Sequence, residues 1–255
     1  MIDSKEISVK GIKVEKTEVG EQAVPKEIER FNVIFRIQHV IMLVTFLLLA
    51  FTGWALKYPE IEPSKWWVRI WGGPETAGII HRTAGLTMLA DFVWHVIYLG
   101  YLFAKGMRIR AVTTIIPIPK DIADVIKNYM YFLGISKEKP RFGRFSYIHK
   151  FDYWAVFWGM GIIGISGFVL AFPVFSSQFF PKAALGWLWP MMMILHSDEA
   201  LLAIVFILFW HFFNEHLKWG KFPMSWTWIT GKVTADYMKH EHPLEYEKMF
   251  GKEGD

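Results

Sequence analysis

The chain contains no cysteine. That excludes disulfides, thiolate-bound iron–sulfur clusters and haem attached covalently through a CxxCH motif. Histidine, carboxylate and methionine remain as metal ligands, and histidine, with nine copies, is foremost. Basic residues are scarce in two connections. One holds only Lys57, Lys65 and Arg69, and the other holds only Lys182. By contrast, the segment up to Arg36 holds seven Lys/Arg, the connection 105–150 holds ten, and the tail from Lys218 holds six. Lys and Arg favour the cytoplasmic side of a membrane. Both termini and the middle connection are therefore expected in the cytoplasm, with the two sparse connections outside. A net charge of +4 distributed in this way follows topology and argues against a nucleic-acid partner.

The hydrophobic residues, 53% of the chain, are concentrated in four long runs. Each is long enough to cross a bilayer as a helix. The expected fold is an all-α membrane protein with four transmembrane helices, at about 31–58, 77–104, 150–173 and 195–219, packed as a bundle. A polar cytoplasmic N-terminus (1–30) precedes it and a cytoplasmic tail (220–255) follows. Because a polar segment of 30 residues comes before the first run, that run reads as a retained span rather than a removable signal peptide. In IPIPKDIADVIKNYMYFLG, Pro119 suits a helix N-terminus, and Ile122, Val125, Ile126 and Tyr129 recur at helical spacing. This predicts a short amphipathic helix on the cytoplasmic face. Gly159, Gly161, Gly164 and Gly167 let a neighbouring helix or flat cofactor approach the third span.

Ionisable residues inside a bilayer are costly and mark function by default. His81 and His95 lie in the second run, and His196 and His211 in the fourth. Each pair is separated by about 21–23 Å of helix, within a hydrocarbon core about 30 Å thick. His81 and His196 fall at the outer level. His39, His95 and His211 fall at the inner level, with His216 about a turn deeper. At about 100° per residue each pair shares a face, whereas His216 points well away from His211.

Neutral imidazoles from two helices can bind a haem iron from both sides, which favours electron transfer over ligand chemistry. Arg36, Arg82 and Lys150 are placed to neutralise haem propionates. Gly85 leaves room for a porphyrin, and Asp91, one turn before His95, is placed to accept that ring's second proton. A closed zinc site is poorly supported, because the histidines sit at two membrane levels. His149, with Lys150 and Asp152, stands at the cytoplasmic mouth of the third span, and Asn214 lies at the same level. These are candidates for a quinone pocket. His240 and His242, in the polar tail, read as solvated.

Several stretches together resemble the membrane cytochrome b subunits of formate dehydrogenases and related respiratory complexes. They are RIQH and the later TG in the first span, IIHRTAG in the second, and RFGRFSYIHKFDYWAVFWG entering the third. HSDEALLA, WHFFNEHLKWGKFPMSW and the tail GKVTADYMKHEHPLEY complete the set, so the resemblance covers roughly residues 30–248. It implies four spans, two b haems stacked across the membrane, an outer catalytic or multihaem partner, and a quinone site near the inner haem. Carried over position by position, it assigns His81 and His196 to the outer haem and His39 and His211 to the inner one. The fourteen-residue step from His81 to His95 is also similar to the b cytochromes of quinol–cytochrome c oxidoreductases, where His95 would face His211. A third arrangement pairs His39 or His95 with His216 in an additional haem.

The expected function is a dihaem b-type cytochrome subunit of a prokaryotic inner-membrane oxidoreductase. It would pass electrons between an outer iron–sulfur or multihaem cytochrome c subunit and the quinone pool, with membrane lipid around it. No motif for substrate chemistry is present. A stand-alone b cytochrome acting on a small molecule and a non-redox membrane anchor are the alternatives.

Overall fold

The computed structural model describes residues 25–105, 113–218 and 220–251. The first 24 residues, which carry much of the expected cytoplasmic N-terminus, lie outside the described set. A short strand β1 (Glu27–Glu29) leads into the first long helix, α1 (Val33–Lys57). Asn32 caps α1 by accepting from the Phe35 N–H at 3.1 Å. A surface helix α2 (Glu62–Ile70) connects to the second long helix, α3 (Pro74–Ala104). The amphipathic helix α4 (Pro119–Phe132) precedes the third, α5 (Tyr147–Ala171), whose N-cap is Ser146. A single turn α6 (Pro173–Ser176) leads to α7 (Leu185–Val205), which continues without a break as a π-helix, Phe206–Leu217. Among the described residues, four helices are thus long and apolar enough to cross a membrane: α1, α3, α5 and the continuous helix Leu185–Leu217.

The last span starts ten residues before the expected 195. Gly186 and Pro190 read as loop, but Pro190 lies near the start of α7. There a missing N–H removes only one intrahelical bond.

The bundle is an all-α membrane assembly, and its burial is inverted relative to a water-soluble core. Ile97, Ile165 and Phe209 are 65–73% exposed. Thr52, Gln38, Asp91, Asp152 and Ser166 are buried. Apolar side chains face outward, where lipid would lie, and polar ones face inward.

Neighbouring spans run antiparallel. The start of α1 meets the end of α3 through Asn32 and Tyr98, and its end meets the start of α3 through Thr52 and His81. The start of α5 meets the π-helix through Asp152 and His211, and farther along it Ile163 meets His196 on α7.

The tail is folded rather than trailing. A turn α8 (Thr227–Thr230), strand β2 (Lys232–Thr234) and helices α9 (Ala235–Glu241) and α10 (Pro243–Phe250) close one end of the bundle. β2 pairs antiparallel with β1, Ile28 opposite Val233. Those two residues, Met238 and Tyr246 form a small apolar core. His242, expected to be solvated, is only 1% exposed, whereas His240 remains on the surface. The His242 ring donates from Nδ1 to the Gly143 carbonyl at 2.7 Å and accepts from Arg30 at 3.2 Å.

Candidate metal centres

At the end of the bundle near the α1–α2 connection, His81 on α3 and His196 on α7 face each other, ring centroids 6.1 Å apart. Two imidazoles on opposite sides of one metal, each bonded at about 2 Å, hold their centroids about 6 Å apart. Both rings have a fixed tautomer. The Thr52 hydroxyl spends its proton on the Leu48 carbonyl at 2.6 Å, so its 2.9 Å contact with His81 Nδ1 is an N–H donation from the ring. His196 Nδ1 donates to the Ile163 carbonyl at 3.1 Å. Each ring therefore keeps its Nε2 lone pair for a metal.

Two dipeptides on the flanking spans cradle these rings. A Cβ at Gly53, beside Thr52 on α1, would come within 3.1 Å of the His81 ring. One at Gly167, beside Ser166 on α5, would come within 2.8 Å of the His196 ring. Glycine at both positions lets an imidazole lie against the helix backbone. Gly85 does not do this, since a Cβ there would meet only Leu49 at an ordinary 3.7 Å. Arg82 is exposed, its guanidinium passing Gly78.

At the opposite end of the bundle three imidazoles converge. His39 on α1 lies 6.3 Å from His211 and 6.3 Å from His216 between ring centroids. Candidate ligand atoms of all three lie within 4.8 Å of one another. His216 was expected on another face, because an α-helical count turns it away from His211. The π-helix reverses that. Its i→i+5 bonding, which ends with Lys218 N–H to Phe213 O at 2.8 Å, lays residue 216 back over residue 211. Their rings are 5.6 Å apart.

His211 is the oriented member of the three. Its Nδ1 donates to Asp152 Oδ2 at 2.6 Å, the carboxylate–histidine arrangement typical of ligating imidazoles. Asp152, expected in a quinone pocket, lines the cavity at this end of the bundle and also bonds His211. The Nδ1 atoms of His39 and His216 are buried without a partner. Each such orphan costs about 1–3 kcal/mol.

A cavity of about 350 Å³ opens beside the triad. Met88, Phe92, Phe157 and Met160 line it along the spans. Arg36, Arg144, Lys221 and Trp228 add N–H donors to its wall. Arg36 reaches the tail by donating to the Ile229 carbonyl, and its Nε is buried without a partner, as is Trp228 Nε1. An apolar slot with cationic and N–H donors suits a flat macrocycle bearing carboxylates. Trp228, 5.8 Å from His39, was not singled out from the sequence; its position in the tail gave no signal.

The other candidates lie elsewhere. His95 also lines the cavity but is not part of the triad. Its Nδ1 donates to Gln38 Oε1 and its Nε2 accepts from the Tyr153 hydroxyl, each at 3.1 Å. Asp91 does not bond to His95, and its Oδ1 is buried without a partner. Lys150 pairs with Asp121 of α4 at 2.8 Å, so its charge anchors that helix rather than a haem propionate. His149 lines the cavity and accepts from the Ser146 N–H, with Nε2 3.6 Å from Glu215. Asn214 donates to the Trp210 carbonyl of its own helix and is not part of the cavity wall. Lys221, beside Glu215 and past the last span, is held below the ordinary lysine range by burial.

No family model matches the chain. It is similar to cytochrome b556 subunits of formate dehydrogenases. The cytochrome b556(fdo) subunit of Escherichia coli K12 is 25% identical over 223 residues, covering 87% of this chain and 93% of that protein. The nitrate-inducible cytochrome b556(Fdn) subunit of the same strain is 23% identical over 224 residues, covering 88% and 92%. The cytochrome b556 subunit of formate dehydrogenase from Haemophilus influenzae is 23% identical over 215 residues, covering 84% and 79%.

Proposed function

We propose that this chain is a dihaem b-type cytochrome, the membrane subunit of a larger oxidoreductase. His81 and His196 hold one haem, and His39 and His211 the other. The observation that carries this reading is the pairing of imidazoles at two levels of one bundle. On α1 the levels are marked by His39 and by Thr52, thirteen residues apart, or about 20 Å of helix. The likeness to cytochrome b556 subunits over most of the chain supports it.

Bound haem b, saturated by two imidazoles, supplies one-electron transfer at its iron. The chain's own residues fix the geometry. Thr52, the Ile163 carbonyl and Asp152 hold three rings with Nε2 free. Gly53 and Gly167 let the outer pair lie against the flanking helices, and Arg36 and Trp228 offer N–H donors to carboxylates at the inner centre.

The distribution of Lys and Arg supports a cytoplasmic His39 end in a prokaryotic inner membrane, with both termini on that side. A redox subunit carrying iron–sulfur clusters or c haems docks outside, near His81 and His196. A quinone reacts near the inner pair, next to His149 and Asp152, where Glu215 and Lys221 bring charged groups to the cavity wall. The alternatives, an anchor without redox chemistry or a stand-alone cytochrome, leave the paired lone pairs or the likeness to complex subunits without a role.

A reduced-minus-oxidised spectrum of the purified chain tests the reading. Two b haems per chain are expected, and His81→Ala should remove one. Absence of a b-type band would refute it and favour the anchor.

A further inference from the structure

Three imidazoles converge on the inner centre, but a haem iron accepts only two axial ligands. The porphyrin fills the plane between them. With His39 and His211 as that pair, a third ring nitrogen within 4.8 Å of both cannot stay where it is. One ring must withdraw when haem binds. Asp152 restrains His211 through a carboxylate bond at Nδ1, whereas His216 Nδ1 has no partner and its ring is held by the Ser225 backbone alone, so His216 is the less restrained ring. It is nonetheless buried, 7% exposed, and its ring is as far from His39 as that of His211.

We propose that His216 is a reserve axial ligand of the inner haem, interchangeable with His211 opposite a common His39. The π-helix Phe206–Leu217 makes the exchange possible. An α-helical winding would turn residue 216 away, while i→i+5 bonding brings the two rings edge to face on one side of the helix, 5.6 Å apart. The two ligand sets differ in one respect that matters for redox chemistry. The His211 N–H donates to a carboxylate, which makes the ring a stronger donor to iron and favours the oxidised state. The His216 ring has no such partner. Exchange from His211 to His216 therefore raises the potential of the inner centre without changing its charge. No atom or electron is consumed; one Fe–N bond replaces another. Trp228 lies 6.3 Å from the His216 ring and 5.8 Å from that of His39.

This inference rests on the haem reading, and the test separates the two. The oxidised, detergent-solubilised chain is examined by electron paramagnetic resonance together with its haem-to-protein ratio. His211→Ala should keep both haems and a low-spin inner signal, with a raised inner midpoint potential. His211→Ala with His216→Ala should lose the low-spin inner signal or the inner haem itself. Should His211→Ala not fold, Asp152→Ala provides the second arm. It should give two low-spin inner species, reduced to one by adding His216→Ala. If His211→Ala matches the double variant, or Asp152→Ala gives a single species that His216→Ala leaves unchanged, His216 is not a ligand. If the unmodified chain carries no haem, the haem reading itself fails.

Discussion

His211 Nδ1 stands 2.6 Å from Asp152 Oδ2, joining the start of α5 to the π-helix that ends the last span. This bond fixes the ring of the inner imidazole that faces His39. Losing a carboxylate behind a ligating histidine typically costs about 10–100-fold in metal affinity. In a His216→Ala background, where no second imidazole can take over, Asp152→Asn should therefore weaken retention of the inner haem by about that factor. The outer haem should be unaffected. Haem titration of the apo-chain in detergent checks both.

The outer pair depends on two glycines. A methyl group at Gly167 would press against the His196 ring at 2.8 Å, and one at Gly53 against His81 at 3.1 Å. Gly167→Ala should displace His196, with loss of the outer haem or its conversion to a five-coordinate spectrum, while the inner haem persists. Gly53→Ala should act in the same direction more weakly. Equal loss of both haems would point to general misfolding instead.

Lys150 and Asp121 form a largely buried pair at 2.8 Å that fastens α4 to the start of α5. Removing one partner of a buried pair costs about 3–5 kcal/mol. Lys150→Ala should free α4, seen as faster amide exchange over Pro119–Phe132, and leave the haem spectrum unchanged. A spectral shift would instead return Lys150 to the haem.

The tail carries a pH dependence. His242 is held well below the ordinary imidazole range, chiefly by burial and then by the Arg30 guanidinium; His149 and Lys221 add to it. In an undocked tail the ring would take a proton near pH 6.5. Below that, the undocked state binds more protons, so docking is fully stable above about pH 6.5 and weakens as pH falls toward the depressed value. The protection factors of the Val233 and Met238 amides, taken relative to intrinsic exchange at each pH, should fall from about pH 7.5 to about pH 5.5, and His242→Gln should flatten the change.

The spans were legible because a bilayer needs long apolar runs, though the start of the last, with Gly186 and Pro190, was not. Histidine depth was legible as well, since rise per residue hardly depends on context. The face of His216 was not. It follows from the winding of Phe206–Leu217, and an i→i+5 helix leaves no mark in a pattern read at a fixed angle per residue. The burial of His242 was hidden for another reason. It depends on Arg30 and Gly143, 212 and 99 residues away, which the β1–β2 pairing and the docked tail bring together. Asp152 rather than Asp91 stands behind an imidazole because the partner lies on a neighbouring span, not one turn away on the same helix.

The central claim is two haems held by separate imidazole pairs. The most direct measurement is the haem-to-protein ratio and difference spectrum of the purified chain beside its His81→Ala and His39→Ala variants. Two b haems are expected in the unmodified chain, with each variant losing a different one and keeping the spectrum of the other. A single haem in the unmodified chain, or the same haem lost in both variants, would contradict the account.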